Sequence, residues 1–206
     1  MKFKIWIIQT FFRIALFWWK YWSKIYRFLY QRRYSVYKLP NNISATRACK
    51  EMKKLTWTKD GTKELWDVCG SPNWVQYTIN QIDAGKQQPK GSLDCDDFTS
   101  WAVSVLHEKY NPRIFTFMWV GKSFDTKESK YSNKLHGHAM CLCTDKNGKI
   151  FHIGNWGKSK QAENLKTLCN NILKKTNGTN PVVWSILDKK LNVLEYGAGL
   201  PNENIK

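Results

Sequence analysis

Seven polar residues, Lys2, Gln9, Arg13, Lys20, Lys24, Arg27 and Gln31, set the tightest constraint on how this chain can fold. Placed at about 100° per residue around a helix, they fall on one narrow stripe. Leu16 intrudes on the stripe, Lys4, Thr10 and Ser23 lie off it, and nearly everything else from residue 3 to residue 30 is apolar or aromatic. A strand cannot keep such a stripe, so residues 1–38 are predicted to be a helical arm, set apart from a domain spanning 39–206. Most of its circumference needs cover. Arg13, Lys20, Lys24 and Arg27 keep any apolar run below the roughly 18 residues that suggest a membrane span. The arm can lie in an anionic membrane interface with its basic residues snorkelling to the head groups, insert at a tilt, or dock in a groove of another protein. It can also be a core helix of the domain itself. A cleaved signal fits poorly, because Trp18-Trp19-Lys20-Tyr21-Trp22 stands where small residues are needed. The expected contact residues are Trp6, Phe12, Trp18, Trp19 and Trp22 with Arg13, Lys20, Lys24 and Arg27, the basic stripe facing outward. Pro40-Asn41-Asn42 reads as a linker.

Charge separates the same two parts. The chain of 206 residues carries a formal +17, yet residues 1–50 hold eleven Lys and Arg and no acid. The rest sets twenty-two basic residues against all sixteen acids. A basic arm suits anionic lipid or nucleic acid, but its aromatics cover too much of the helix to leave a stacking platform for bases, so nucleic acid is not the expected partner. The six cysteines do not space out as a disulfide framework, which points to a reduced compartment.

Beyond the linker the periodicity changes from element to element. Ser44 can cap a short helix over 45–55, and residues 73–84 read as a second helix. Asp94 can cap a third from Cys95 to about Lys109, with Phe98, Trp101, Ala102, Val105 and Leu106 on one face. Residues 113–120 alternate as a strand, 121–135 form a polar loop, and 137–144 and 149–153 are strands joined by a tight turn at 145–148. A helix lies between 161 and 175, and 182–187 with 191–196 close the domain as a hairpin.

Chemistry concentrates in three segments: Gly91-Ser-Leu-Asp-Cys-Asp-Asp-Phe, Gly137-His-Ala and Phe151-His-Ile-Gly-Asn-Trp. Cysteine, histidine and asparagine in that order offer a nucleophile, a base and an orienter for acyl transfer through a thiol. Cys95 falls in the first turn of its helix, where unpaired backbone N–H groups favour a thiolate and an oxyanion. Asp94, Asp96 and Asp97 are expected to keep that turn wet, and their charge opposes a thiolate. His138 is the expected base, with His136, on the same strand face, in reserve. His107 lies about three turns along the Cys95 helix and is out of reach. Asn155 is expected to share a strand face with Phe151 and Ile153 and point at His138. Gln88 is the candidate side-chain oxyanion donor. Cys141 and Cys143 fall on the strand face opposite His136 and His138, so no zinc set is expected.

Asp-Cys-Asp-Asp-Phe, then Gly-His-Ala, then a strand ending in a polar residue resembles the transglutaminase-like cysteine peptidases of bacteria and their phages. The similarity covers about Gly91 to Gly157. It implies an α+β, papain-like fold in which a nucleophile helix packs on an antiparallel sheet. Cys95 and His138 fall on the motif positions; Gly154-Asn155 stands where the family usually has Asp, and Asn would orient the imidazole as in papain-type enzymes. A more distant similarity is to cell-wall amidases that open with Asp-Cys-Ser-Gly, although Ser-Gly is missing here. The expectation is therefore a thiol hydrolase of peptide or isopeptide bonds that needs no cofactor or metal. Its partners would be a peptide or protein substrate and, through the arm, the cytoplasmic side of a membrane, a protein groove or an assembly such as a virion. The alternative is an inactive module of the same fold whose arm does the docking.

Overall fold

The computed structural model describes residues 2–58, 69–90, 93–121 and 134–203. It is a mixed α+β fold. Five α-helices, α1 (Lys2–Tyr26), α2 (Ala45–Met52), α3 (Pro72–Asp83), α4 (Cys95–Val105) and α5 (Leu165–Lys175), surround six strands among these residues. The strands are β1 (Arg113–Gly121), β2 (Lys134–Thr144), β3 (Ile150–Gly154), β4 (Gly157–Lys158), β5 (Gly178–Leu187) and β6 (Val193–Ala198). They form one antiparallel sheet in the order β4-β3-β2-β1-β5-β6.

Strand alternation gives the sheet two apolar faces, and helices cover both. Ile114, Cys141, Cys143, Phe151 and Ile153 meet Phe98, Trp101, Ala102 and Val105 of α4, with α2 and α3 behind. Phe115, Phe117, Trp119, Met140 and Leu142 meet Leu165, Leu168, Cys169 and Ile172 of α5 on the other side. β2 at the centre therefore contributes alternate residues to two separate cores.

Local chemistry sets the helix ends. Ser71 caps α3 with Pro72 in its first turn, and Asn164 caps α5. α4 stops earlier than its periodicity predicts. Leu106 turns extended and bridges Ile43, whose N–H binds Val105 O and whose carbonyl accepts the N–H of His107. A short 3-10 turn at Glu108–Tyr110 follows. β4, which the sequence does not show, is a two-residue strand on the sheet edge. β2 starts before Gly137, at Lys134, within the segment expected as loop; residues 122–133 of that loop lie outside the described residues.

The arm is helical as expected, but its orientation is the reverse of the expectation. Arg13, Lys20, Arg27 and Gln31 of the stripe face the domain, while the side chains of Lys2 and Gln9 lie outside the described residues. Arg13 lies over the Tyr196 ring, and Lys20 Nζ donates to Asn192 Oδ1 at 2.8 Å. Arg27 donates to the Cys69 carbonyl, to Cys69 Sγ and to Ser100 Oγ at 2.9, 2.9 and 3.0 Å. Ser23 and Gln31 are buried and accept the N–H groups of Cys69 and Ser71. Leu16, the apolar intruder on the stripe, is buried among them. After Tyr26 a π-turn, Arg27–Gln31, carries Arg27 and Gln31 onto the 69–71 segment. The cause is complementarity: this surface offers carbonyl, hydroxyl and amide partners, and a guanidinium buried against them is satisfied. Of the expected contact residues, Trp18 and Trp22 face out, Trp19 packs on the α4 core, Phe12 is half-buried and Lys24 is exposed. The side chain of Trp6 lies outside the described residues. No helix among the described residues is long and apolar enough to cross a membrane.

Trp19 and Tyr34 add to the main core, so residues 1–38 are not a detachable appendage. A chain starting near Asn41 is not expected to keep this fold, contrary to what the position of the motifs suggests. Arg27→Met removes three hydrogen bonds to a charged donor and should cost about 2 kcal/mol in urea denaturation, whereas Arg33→Met, on the exposed side, should cost under about 0.5 kcal/mol.

Candidate active site

α4 begins with a full capping box. Asp94 accepts the Asp96 N–H at 3.2 Å, and Asp97 returns to the Asp94 N–H at 3.3 Å. The other Asp97 oxygen takes the Gly70 N–H at 2.6 Å. This fixes Cys95 as the first helical residue, partly exposed, with its backbone N–H at the positive end of the helix.

The three acids do not make the turn wet, as the sequence suggests. Asp96 and Asp97 are 4% and 3% exposed. Neither oxygen of Asp96 has a hydrogen-bond partner that meets distance and angle limits, and burial pushes its carboxyl well above the usual range, with Cys69 and the neighbouring acids adding to the shift. The charge opposing a thiolate is thus smaller than three carboxylates imply. Oxygens of Asp94, Asp96 and Asp97 lie within 4.8 Å of one another. Two of these acids already serve the helix cap and Gly70, and burial favours the protonated form of the third, which works against holding a cation.

Cys95 meets β2 at a backbone group. The Ala139 N–H points at its sulfur at 3.5 Å. β3 ends at Gly154, and its last pair with β2 is Ile153↔Cys141, so this stretch of β2 runs past β3 as an open edge. Cys95 reaches that edge from the α4 face.

His138 reaches it from the other face. It is 8% exposed, and its ring stacks on Trp156 with centroids 3.9 Å apart and planes 11° apart. Its Nε2 lies 3.7 Å from where a Cβ on Gly154 would sit and makes no hydrogen bond to any described residue. Burial drives its pKa down to about 3; the nearby His152 and Lys175 push the same way, and the Asn155 side chain alone opposes them by favouring the protonated ring. The imidazole is therefore neutral at physiological pH. The expected facing of Asn155 is corrected. His138 shares a face with His152, away from Phe151 and Ile153, and Asn155 comes near it because the chain turns there after β3.

The remaining candidates have other roles. Gln88 does not act as oxyanion donor: its amide clamps the Thr56 backbone, accepting at 2.7 Å and donating at 2.8 Å. His136 Nε2 pairs with the Gly121 carbonyl, and His107 caps the turn after α4. Gly91 and Ser92 of the motif lie outside the described residues. Two residues that sequence reasoning left out of the site are central to it. Ala139 acts through its main chain, which leaves no mark in a sequence. Trp156 stood in the motif beside Asn155, but its part is a ring stacked on His138, which only the folded chain brings about.

Compared with protein-family models, curated proteins and solved structures, the chain has no match.

Acid should unfold the protein through its histidines. His138 and His152 titrate at about 3 and about 4 in the folded chain, against 6.5 when unperturbed. Below 6.5 the unfolded chain binds more protons, so stability falls as pH drops from 6.5 towards 4. Melting temperature followed from pH 7 to 4.5 checks this, and His138→Gln should flatten the slope.

Proposed function

We propose that the protein is a thiol hydrolase of peptide or isopeptide bonds with a papain- or transglutaminase-like arrangement, docked to an anionic membrane surface by its arm. The observation that supports the chemistry best is Cys95 at a capped helix N-terminus with its sulfur on the Ala139 N–H, the residue next to His138 on β2. The thiol sits at a capped helix N-terminus, one strand position from a neutral histidine with an unused nitrogen.

In this mechanism the Cys95 sulfur attacks the substrate carbonyl and its proton passes to His138 Nε2. The helix N-terminus at Cys95 stabilises the oxyanion. His138 returns the proton to the leaving amine, and water, activated by the same ring, releases the acid. Asn155, the one neighbour favouring a protonated ring, holds the imidazolium that forms. Because His138 rests neutral, there is no standing thiolate–imidazolium pair; the proton moves as the bond forms. The acid limb of the rate should then lie below pH 5.

Limited iodoacetamide treatment, read by mass spectrometry, tests the nucleophile. Cys95 should label first. Cys69 is buried with its thiol pushed up to about 11, Cys141 and Cys169 are buried and raised further, and Cys49 is raised by burial. Earlier labelling of Cys49 or Cys69, or an unchanged rate in His138→Gln, sinks the hydrolase and leaves an inactive docking module.

The arm supports the membrane half. Phe11, Ile14, Phe17, Trp18, Ile25, Phe28 and Leu29 are 44–69% exposed, and Lys24, Arg32 and Arg33 sit beside them. An aromatic face flanked by cations matches the interface of an anionic bilayer. The full chain should sediment with vesicles containing phosphatidylserine. The triple variant Trp18→Ser, Trp22→Ser, Phe28→Ser changes only outward side chains and should stay in solution, folded. Undiminished binding by that variant would remove the membrane half.

A further inference from the structure

A cavity of about 390 Å³ lies behind His138, on the α5 face of the sheet. His152, Trp156, Lys158, Lys160 and Lys175 line it together with Asn171 of α5. Trp156 is the wall it shares with the candidate active site: one side stacks on His138, and the Lys175 ammonium lies 5.3 Å from its ring centroid. His152 is 5% exposed, and its Nδ1 has no hydrogen-bond partner among the described residues. An orphaned imidazole nitrogen is costly, and Lys160 and Lys175 bring positive charge to the hollow, whereas the Lys158 ammonium turns to the α4 face and lies 4.4 Å from the Phe151 ring centroid.

No acid among the lining residues balances them. Asp145 binds Gln161, and Glu163 pairs with Lys149, so the nearest acids in sequence are engaged elsewhere. The two lysines come from independent elements: Lys160 from the loop after β4 and Lys175 from the last turn of α5. The fold brings them together without any sequence run that shows it.

We infer that this cavity is a binding site for a small oxyanion, a carboxylate or phosphate group, held by Lys160 and Lys175 with His152 and Asn171 at its floor. Ammonium groups and a protonated imidazole donate charge-assisted hydrogen bonds to such a group, and Asn171 offers an amide donor. The anion supplies the acceptor that His152 lacks. It also offsets the Lys175 charge that, after burial, helps hold both His152 and His138 neutral. The groups that act on His152 and its neighbour are Lys175 on α5 and His138 on β2, with Lys160 on the wall of the same cavity, all cationic or basic, so an anion shifts its proton affinity upward. The site stands on this cavity alone and does not require Cys95 to be a nucleophile.

The basic arm will also attract anions, so the readout has to be local. The full chain, labelled with nitrogen-15, is titrated with inorganic phosphate and, separately, with glutarate, while the imidazole resonances of His138 and His152 are followed. Saturable movement of the His152 signals, with its apparent pKa rising, is expected. In Lys160→Ala/Lys175→Ala, which alters two side chains on exposed positions, affinity should fall at least about tenfold, the loss of one or two charge-assisted hydrogen bonds, whereas Lys158→Ala, whose ammonium lies over Phe151, should leave it unchanged. Stronger response to glutarate assigns the site to a carboxylate, and stronger response to phosphate assigns it to a phosphate group. No saturable response of His152 to either anion overturns the proposal, as does equal affinity in the double variant. Cys95 labelling measured on the same samples stays unchanged if only the anion site is wrong.

Discussion

One carboxylate, that of Asp97, ties the molecule together. One oxygen takes the Gly70 N–H and the other closes the capping box of α4 on Asp94. Buried and shielded from water, these bonds count for more than their surface equivalents. Gly70 is required for the approach, since a Cβ there would lie 2.2 Å from the Asp97 oxygen. The 69–71 segment so anchored then holds the arm through Ser23, Arg27 and Gln31. The start of α4, which carries Cys95, and the seat of the arm therefore share one support.

That shared support bears on function. Arg27 touches Cys69, whose sulfur also contacts the Asp96 carbonyl, and Ser100 one turn along α4. Any displacement of the arm reaches the helix carrying Cys95 through these few bonds. The outward aromatic face costs the isolated molecule solubility, and it persists because the inward polar stripe is already committed to the domain.

Around His138 the sheet does a second piece of work. β2 feeds two cores, so its neighbouring residues Ala139 and His138 serve different faces of the same edge. β3 ends at Gly154, and the turn through Asn155 and Trp156 folds over the imidazole. The ring is thereby buried, uncharged and stacked. Its basicity is set by burial first and by His152 and Lys175 next, more than by the orienting amide.

Much of this was legible in the sequence for a physical reason: period and capping are local properties. The helices after Ser44, Ser71, Asp94 and Asn164, the central alternating strands and the helical arm all follow from the spacing of apolar and capping residues. Cys95 at a helix start was visible because Asp94 and Asp97 flank it at capping distance. Three things belonged to the tertiary structure alone. The hand of the arm was one: a polar stripe looks the same whether it faces water or a surface of carbonyls and hydroxyls, and only the folded 69–71 segment decides. The burial of Asp96 and Asp97 was another, because acids read as exposed until a partner such as the Gly70 N–H appears from far along the chain. The last was the face of His138 and the lysine-lined hollow behind it. Alternation tells which residues share a face, but which face carries α5, and with it Lys175, depends on how the sheet is covered.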